Sequence, residues 1–234
     1  MKYYDTSQHV IGKSQFIDDI TVPEGTLYAA IFYSPIAKGK IIKLDISKAA
    51  NCSGGSAVLT SKDIEGANQI GGIVQDEELL ASHEVDFVGQ PIAIVVADDY
   101  LTAKNAAKKI HIDFDEETPI LDPREAQRKG ELIVPPMIFE LGSTETVWNE
   151  CDIIVEGIAA SGAQEHLYLE TQGAIAIPTE GGGLKIISST QSPTAVQRVT
   201  ANVLNMPMHK IEVDVMRLGG GFGGKEDQAT PYAA

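Results

Sequence analysis

Residues 217–226 run Arg217-Leu218-Gly219-Gly220-Gly221-Phe222-Gly223-Gly224-Lys225-Glu226, five glycines around one phenylalanine. They follow a strand-like run at 211–216 (IEVDVM). Ordering glycine costs backbone entropy, so a cluster implies that main-chain N–H groups must approach something a Cβ would block. Two nucleotide templates overlay the loop. Gly219, Gly221 and Gly224 fit the dinucleotide fingerprint, which also needs a following helix, a second strand and an acidic residue about 20 positions on. The sequence given extends only eight residues past Glu226. Gly219 to Lys225 also opens like a phosphate loop, but Glu226 stands where Ser or Thr must bind magnesium, and a carboxylate repels a triphosphate. Nucleotide binding through this loop is therefore a distant alternative, and a tight glycine turn at a strand end is the plainer one.

A second concentration of functional groups is Gln164-Glu165-His166-Leu167-Tyr168-Leu169-Glu170. If this stretch is extended, alternation puts Gln164, His166 and Tyr168 on one face. There is no His-Glu-x-x-His for a metalloprotease and no Gly-x-Ser-x-Gly for a hydrolase. His166 reads as a neutral structural histidine. Gln164 stands out because a neutral amide can donate a hydrogen bond without adding charge.

Composition excludes several classes. With 18 basic and 33 acidic residues the net charge is −15, which argues against nucleic acid or an anionic membrane as partner. Cys52 and Cys151 are far apart, so the chain cannot build an iron–sulfur cluster or a zinc ribbon by itself. The first residues, Met1-Lys2-Tyr3-Tyr4-Asp5, carry no apolar signal core, and no run reaches the ~18 apolar residues of a membrane span. A soluble, cytoplasmic protein is expected.

The elements that must position these residues fall into two regions. In the first, residues 27–33, 40–46 and 56–60 read as strands. Residues 90–96 form a continuous apolar run, the pattern of a strand buried on both faces. A helix capped by Asp98 or Asp99 follows, its apolar face drawn from Leu101, Ala103, Ala106, Ala107 and Ile110, and then an alternating strand at 110–114. This stretch reads as a β-α-β unit. Residues 119–136, punctuated by prolines, read as a linker. Beyond it, strands are expected at 153–157, 173–177, 184–188 and 211–216, with Gly181-Gly182-Gly183 closing a hairpin. Ser192 and Pro193 begin a helix that ends near Asn205 and Pro207.

In order along the chain, Gly89-Gln90-Pro91, residues 164–172 (QEHLYLETQ), residues 189–193 (STQSP) and the glycine loop through Glu226 resemble the molybdenum subunit of the xanthine dehydrogenase and aldehyde oxidase family. Residues 16–20 (FIDDI) and 101–107 (LTAKNAA) fit the same resemblance, which covers essentially the whole chain. It implies an α+β fold: an α/β hammerhead-type domain over residues 1–120, a linker over 121–140, and the N-terminal part of a molybdopterin-binding domain over 141–234. It implies oxidation of a purine, related N-heterocycle or aldehyde, with water as oxygen source. The implied cofactor is molybdenum–molybdopterin, whose dinucleotide form stays open. Fe-S clusters and FAD would sit on partner chains or domains.

By the same resemblance Gln164 hydrogen-bonds an oxo ligand of molybdenum, and Gly221, Phe222 and Gly223 present N–H groups beside the metal, which has no direct protein ligand. Glu226 would reach the substrate in members that oxidise purines, and on physical grounds the neighbouring Lys225 is expected to keep it ionised. The family's general base is a glutamate further downstream, so no catalytic base is expected here. The chain is then expected to be a truncated N-terminal portion, inactive until joined by the remainder of the molybdenum subunit and by the Fe-S and FAD subunits. The alternative is a non-catalytic binding or structural fragment.

Overall fold

The computed structural model describes residues 5–52 and 57–234. The first four residues, read above for a signal, and Ser56, the first of the strand expected at 56–60, lie outside them. Among the described residues the strands are β1 (Tyr28–Tyr33), β2 (Gly39–Asp45), β3 (Ala57–Thr60), β4 (Glu84–Val85), β5 (Pro91–Ala97), β6 (His111–Glu116), β7 (Ala174–Thr179), β8 (Gly183–Ser188) and β9 (Ile211–Asp214). Residues 5–117 and 166–234 form one compact unit, and residues 118–165 another.

In the larger unit the first 117 residues carry two antiparallel three-stranded sheets, ordered β1-β5-β3 and β4-β2-β6. β5 is central in its sheet, and Ile92, Ala93, Val95 and Ala97 are wholly buried, as its unbroken apolar run requires. Asp99 caps the helix Tyr100–Ala107 by accepting the Thr102 N–H at 2.9 Å. Ala103, Ala106 and Ala107 face the core, whereas Leu101, expected inside, is exposed.

The β-α-β reading of this stretch is corrected. β5 and β6 belong to different sheets, because the helix delivers the chain to β2 rather than back beside β5. A parallel β-α-β crossover does occur, but later. β8, the helix Pro193–Val203 and β9 form it, with Leu184 aligned on Ile211 and Ile186 on Val213. Ile186, Val196, Ala201 and Ile211 make its core. β7 joins β8 through the expected hairpin, where Gly181 and Gly182 take left-handed φ of 81° and 72°.

The same helix also binds the first region. Val199 and Val203 pack on Leu79 and Leu80. Its terminal carbonyls, which have no partner within the helix, accept from Gly66 N–H (to Val203 O, 2.9 Å) and Ala67 N–H (to Asn202 O, 3.0 Å).

Residues 118–165 hold a helix at Pro123–Lys129, capped by Asp122 and closed by Gly130 at φ 74°, and a shorter one at Thr144–Val147. The expected linker thus contains a helix, for which Asp122-Pro123 is a sound start signal. The strand expected at 153–157 is absent: no neighbour pairs with it, and Ile153 and Val155 are exposed. An apolar run makes a strand only where another strand completes its hydrogen bonds. No helix among the described residues is long and apolar enough to cross a membrane.

Candidate functional site

The glycine loop leaves the end of β9 and rests on a buried ionic base. Lys225 is 0% exposed, although lysine is among the residues least often buried. Its Nζ lies 3.2 Å from Glu170 Oε2, donates to Ser189 Oγ at 2.6 Å, and sits 4.7 Å from the centre of the Tyr168 ring, which adds a cation–π attraction.

Glu170 gathers four donors from three parts of the chain. Oε2 accepts from Gly219 N–H (2.7 Å) and Ser189 Oγ–H (2.6 Å) as well as from Lys225, and Oε1 accepts from Ile17 N–H (3.3 Å). Burial works to raise its pKa, but the Ser189, Gly219, Ile17 and Lys225 bonds together outweigh it and hold the carboxyl below the ordinary glutamate value. The network ties the N-terminal segment, the β8 end and the loop to one carboxylate.

Above this base, Gln191 Oε1 accepts from Gly223 N–H (3.1 Å) and Lys225 N–H (3.2 Å), and the Gln191 N–H donates to Lys225 O (2.8 Å). Thr190 Oγ1 donates to the same carbonyl at 3.2 Å. Gln172 Nε2 donates to Gly224 O at 2.9 Å and to the Tyr168 hydroxyl at 2.8 Å. Within the loop, Gly224 N–H donates to Gly221 O at 2.7 Å.

The glycines answer mainly to this packing. A Cβ on Gly219 would overlap the Cβ of Glu170, one on Gly221 would stand 2.6 Å from Gln191 Oε1, and one on Gly224 would stand 2.8 Å from the Tyr168 ring. Gly220, Phe222 and Gly223 have positive φ (101°, 50° and 90°). Phe222 is therefore a non-glycine residue in a strained backbone region, with its side chain 74% exposed.

Of the residues singled out from sequence, Gly221, Phe222, Gly223 and Glu226 share this loop. Gly221 is buried, and neither its N–H nor that of Phe222 meets an acceptor among the described residues. The Gly223 N–H, expected to face a cofactor, is taken by Gln191. Glu226 is exposed, and its expected companion Lys225 points instead into the Glu170 pocket. Gln164 belongs to residues 118–165, where it is exposed and its Nε2 donates to Glu165 O at 3.3 Å. The extended alternation expected for 164–168 is broken at Leu167, whose φ is 42°. Glu170, Ser189 and Gln191 went unassigned in the sequence; each lies in a motif noticed above, but no local pattern announces a buried carboxylate.

Comparison with known proteins gives this architecture a class. Residues 11–118 match the aldehyde oxidase and xanthine dehydrogenase a/b hammerhead domain, and residues 127–234 match the molybdopterin cofactor-binding domain. The α+β chain is thus a hammerhead domain followed by molybdopterin-binding structure. Xanthine dehydrogenase 1 of Arabidopsis thaliana is 38% identical over 96% of this chain, and aldehyde oxidase 2 of Macaca fascicularis is 38% identical over 97%. Quinoline 2-oxidoreductase from Pseudomonas putida 86 superposes with a TM-score of 0.81 at 27% identity, covering 97% of this chain and 31% of that one. The chain belongs to the xanthine dehydrogenase and aldehyde oxidase family of oxidoreductases. It spans 17% of the length of the two curated relatives.

The loop fits the cofactor this family implies. Two adjacent N–H groups with no acceptor among the described residues, on a rigid base, suit an electron-rich ligand, as main-chain donors do at many anion sites. The Cβ direction at Gly223 meets nothing closer than His166 Nε2 at 3.9 Å, so one flank stays open.

Proposed function

We propose that this chain forms one wall of the molybdenum centre of a cytoplasmic hydroxylase that oxidises a purine or related N-heterocycle. The observation that carries this reading is the free Gly221 and Phe222 N–H pair, locked onto a buried ion pair in a chain of this family. When bound, molybdenum–molybdopterin, in its simple or dinucleotide form, supplies two-electron oxidation of a substrate carbon. The balance is C–H plus water to C–OH, two protons and two electrons.

The chain's own residues bind and orient. The Gly221 and Phe222 N–H groups hold the cofactor through the main chain, and the exposed Phe222 ring offers an apolar face that excludes water from one side of the substrate. Gly223 supplies clearance rather than a donor. Gln164 donates an amide hydrogen bond without adding charge. Glu226 accepts a ring N–H of the heterocycle, which selects such substrates over simple aldehydes. Proton abstraction falls to a glutamate in the remainder of the molybdenum subunit, and the electrons pass to Fe-S and FAD partners. The division into residues 1–120, a 121–140 linker and 141–234 belongs to the same reading.

The names of the relatives include xanthine dehydrogenases and a quinoline oxidoreductase beside aldehyde oxidases, so the choice of a heterocycle over an aldehyde rests on Glu226. The test is to assemble the chain with the rest of its subunit and the electron-transfer partners, then measure molybdenum, pterin and turnover. Gln164→Ala should slow turnover with little change in KM. Glu226→Ala should lower kcat/KM for a purine far more than for an aldehyde. An assembly without stoichiometric molybdenum, or a Gln164→Ala enzyme with full turnover, would overturn the proposal. The short span relative to the relatives favours a second statement: by itself the chain is an inactive binding fragment, and turnover by the isolated chain would refute that.

A further inference from the structure

We propose that Gln191 is a positioning residue for the molybdenum centre, fixing the direction of the Gly221 and Phe222 N–H groups without touching substrate. The inference rests on the functional reading above. The STQSP motif at 189–193 has no role in that reading, yet Gln191 makes three hydrogen bonds to the glycine loop. One oxygen, Oε1, accepts from Gly223 N–H at 3.1 Å and from Lys225 N–H at 3.2 Å, and the main-chain N–H of Gln191 donates to Lys225 O at 2.8 Å.

The side-chain bond to Gly223 and the packing against Gly221 flank the two free donors. A Cβ built on Gly221 would come within 2.6 Å of Gln191 Oε1 and 2.8 Å of its Cδ, so the amide packs directly against the loop there. Gly220, Phe222 and Gly223 all have positive φ, and three such residues in four do not hold one conformation unaided. An acceptor clamped from outside removes that freedom. Gln191 is itself held: Thr190 Oγ1 accepts from Ser192 N–H at 2.9 Å at the start of the helix Pro193–Val203. Rigid donors bind a ligand at lower entropic cost than mobile ones.

The chemistry assigns the work to an acceptor oxygen, not to an amide. Gln191→Glu keeps an oxygen at that position, Gln191→Met keeps the length and loses it, and Gln191→Asn keeps an amide that falls one methylene short. Each variant is made in the assembled holoenzyme, followed by hydrogen exchange of residues 219–226, molybdenum content and steady-state kinetics. In Gln191→Met we expect exchange of the Gly223 and Lys225 N–H groups to rise on the order of tenfold each, the scale of one lost hydrogen bond per donor. Molybdenum content and kcat should fall together, with KM nearly unchanged, and Gln191→Glu should restore all three.

Should Gln191→Met fail to assemble, Gln191→Asn takes its place, with the same losses expected. Unchanged exchange in the Met or Asn variant overturns the positioning role whether or not the enzyme holds molybdenum. Faster exchange with unaltered molybdenum content and kcat overturns it too, while leaving the functional reading intact. A wild-type assembly without molybdenum sinks the functional reading instead.

Discussion

Lys225 and Glu170 stand fifty-five positions apart in sequence and 3.2 Å apart in space, with the lysine wholly enclosed. Around this pair the Ser189 hydroxyl, the Gly219 N–H and the Ile17 N–H complete the carboxylate's hydrogen bonds. Because both charges are largely out of water, the energetic consequence is asymmetric. The intact pair contributes little net stability, but losing one partner strands the other.

Lys225→Met should therefore cost about 3–5 kcal/mol, read as a lower urea midpoint, because Glu170 stays buried without its counter-charge. The double variant Lys225→Met with Glu170→Leu should recover much of that loss. A double variant no better than the single one would mean that the two residues are not energetically coupled.

The pH dependence follows from the same carboxylate. Glu170 titrates below the ordinary glutamate value of 4.5 in the folded chain, so it stabilises fully above that value and its contribution is lost as pH falls through the folded one. Wild type should lose urea resistance on acidification below 4.5 more steeply than Glu170→Gln, and the difference should be flat at higher pH. Asp45 and Asp99 are also shifted down, but they remain in both proteins and cancel in the comparison.

The loop's glycines are separable by mechanism. At Gly219 and Gly221 an added methyl meets Glu170 and Gln191, so alanine there should lower stability by about 1–3 kcal/mol through overpacking. At Gly223 space is available but φ is 90°, so alanine costs only the backbone strain, of order 1–3 kcal/mol. Gly219→Ala should be non-additive with Glu170→Gln, because both disturb the same side chain, whereas Gly223→Ala should be additive with it. Thermal unfolding of the single and paired variants distinguishes the two mechanisms.

Most of the longer strands, the 181–183 hairpin and the Pro193 helix start were legible because each depends on local periodicity or turn chemistry, whereas the short Glu84–Val85 strand gave no such signal. The loop was legible as a place of close approach, because five glycines stand in six residues around Phe222, and at Gly219, Gly221 and Gly224 there is no room for a Cβ against Glu170, Gln191 and Tyr168. What the sequence hid were pairings across distance. Nothing near residue 170 announces that its carboxylate will meet residues 17, 189, 219 and 225. Nothing near Ile153 shows that the run will find no partner strand. Lys225 was misread for the same reason: adjacency in sequence suggested Glu226 as its companion, while burial favoured the carboxylate lying beneath.

Phe222 gives the last test, because its backbone and its ring lead to opposite expectations for stability and function. At φ 50° a phenylalanine carries strain that glycine does not, of order 1–2 kcal/mol. Its ring is 74% exposed, so removing it forfeits little burial. Phe222→Gly should then leave the thermal midpoint of the chain unchanged or raise it, since relieved strain offsets the entropy glycine adds. In the assembled enzyme the same change should lower both cofactor retention and kcat, because glycine frees the backbone that directs the N–H donor and the apolar ring is lost. Phe222→Ala keeps the strained backbone and loses only the ring, so it should lower kcat while retaining more cofactor than Phe222→Gly, and it should not share any gain in stability. A Phe222→Gly protein that melts earlier than wild type would mean the ring packs against something, and the strain would then need no functional explanation.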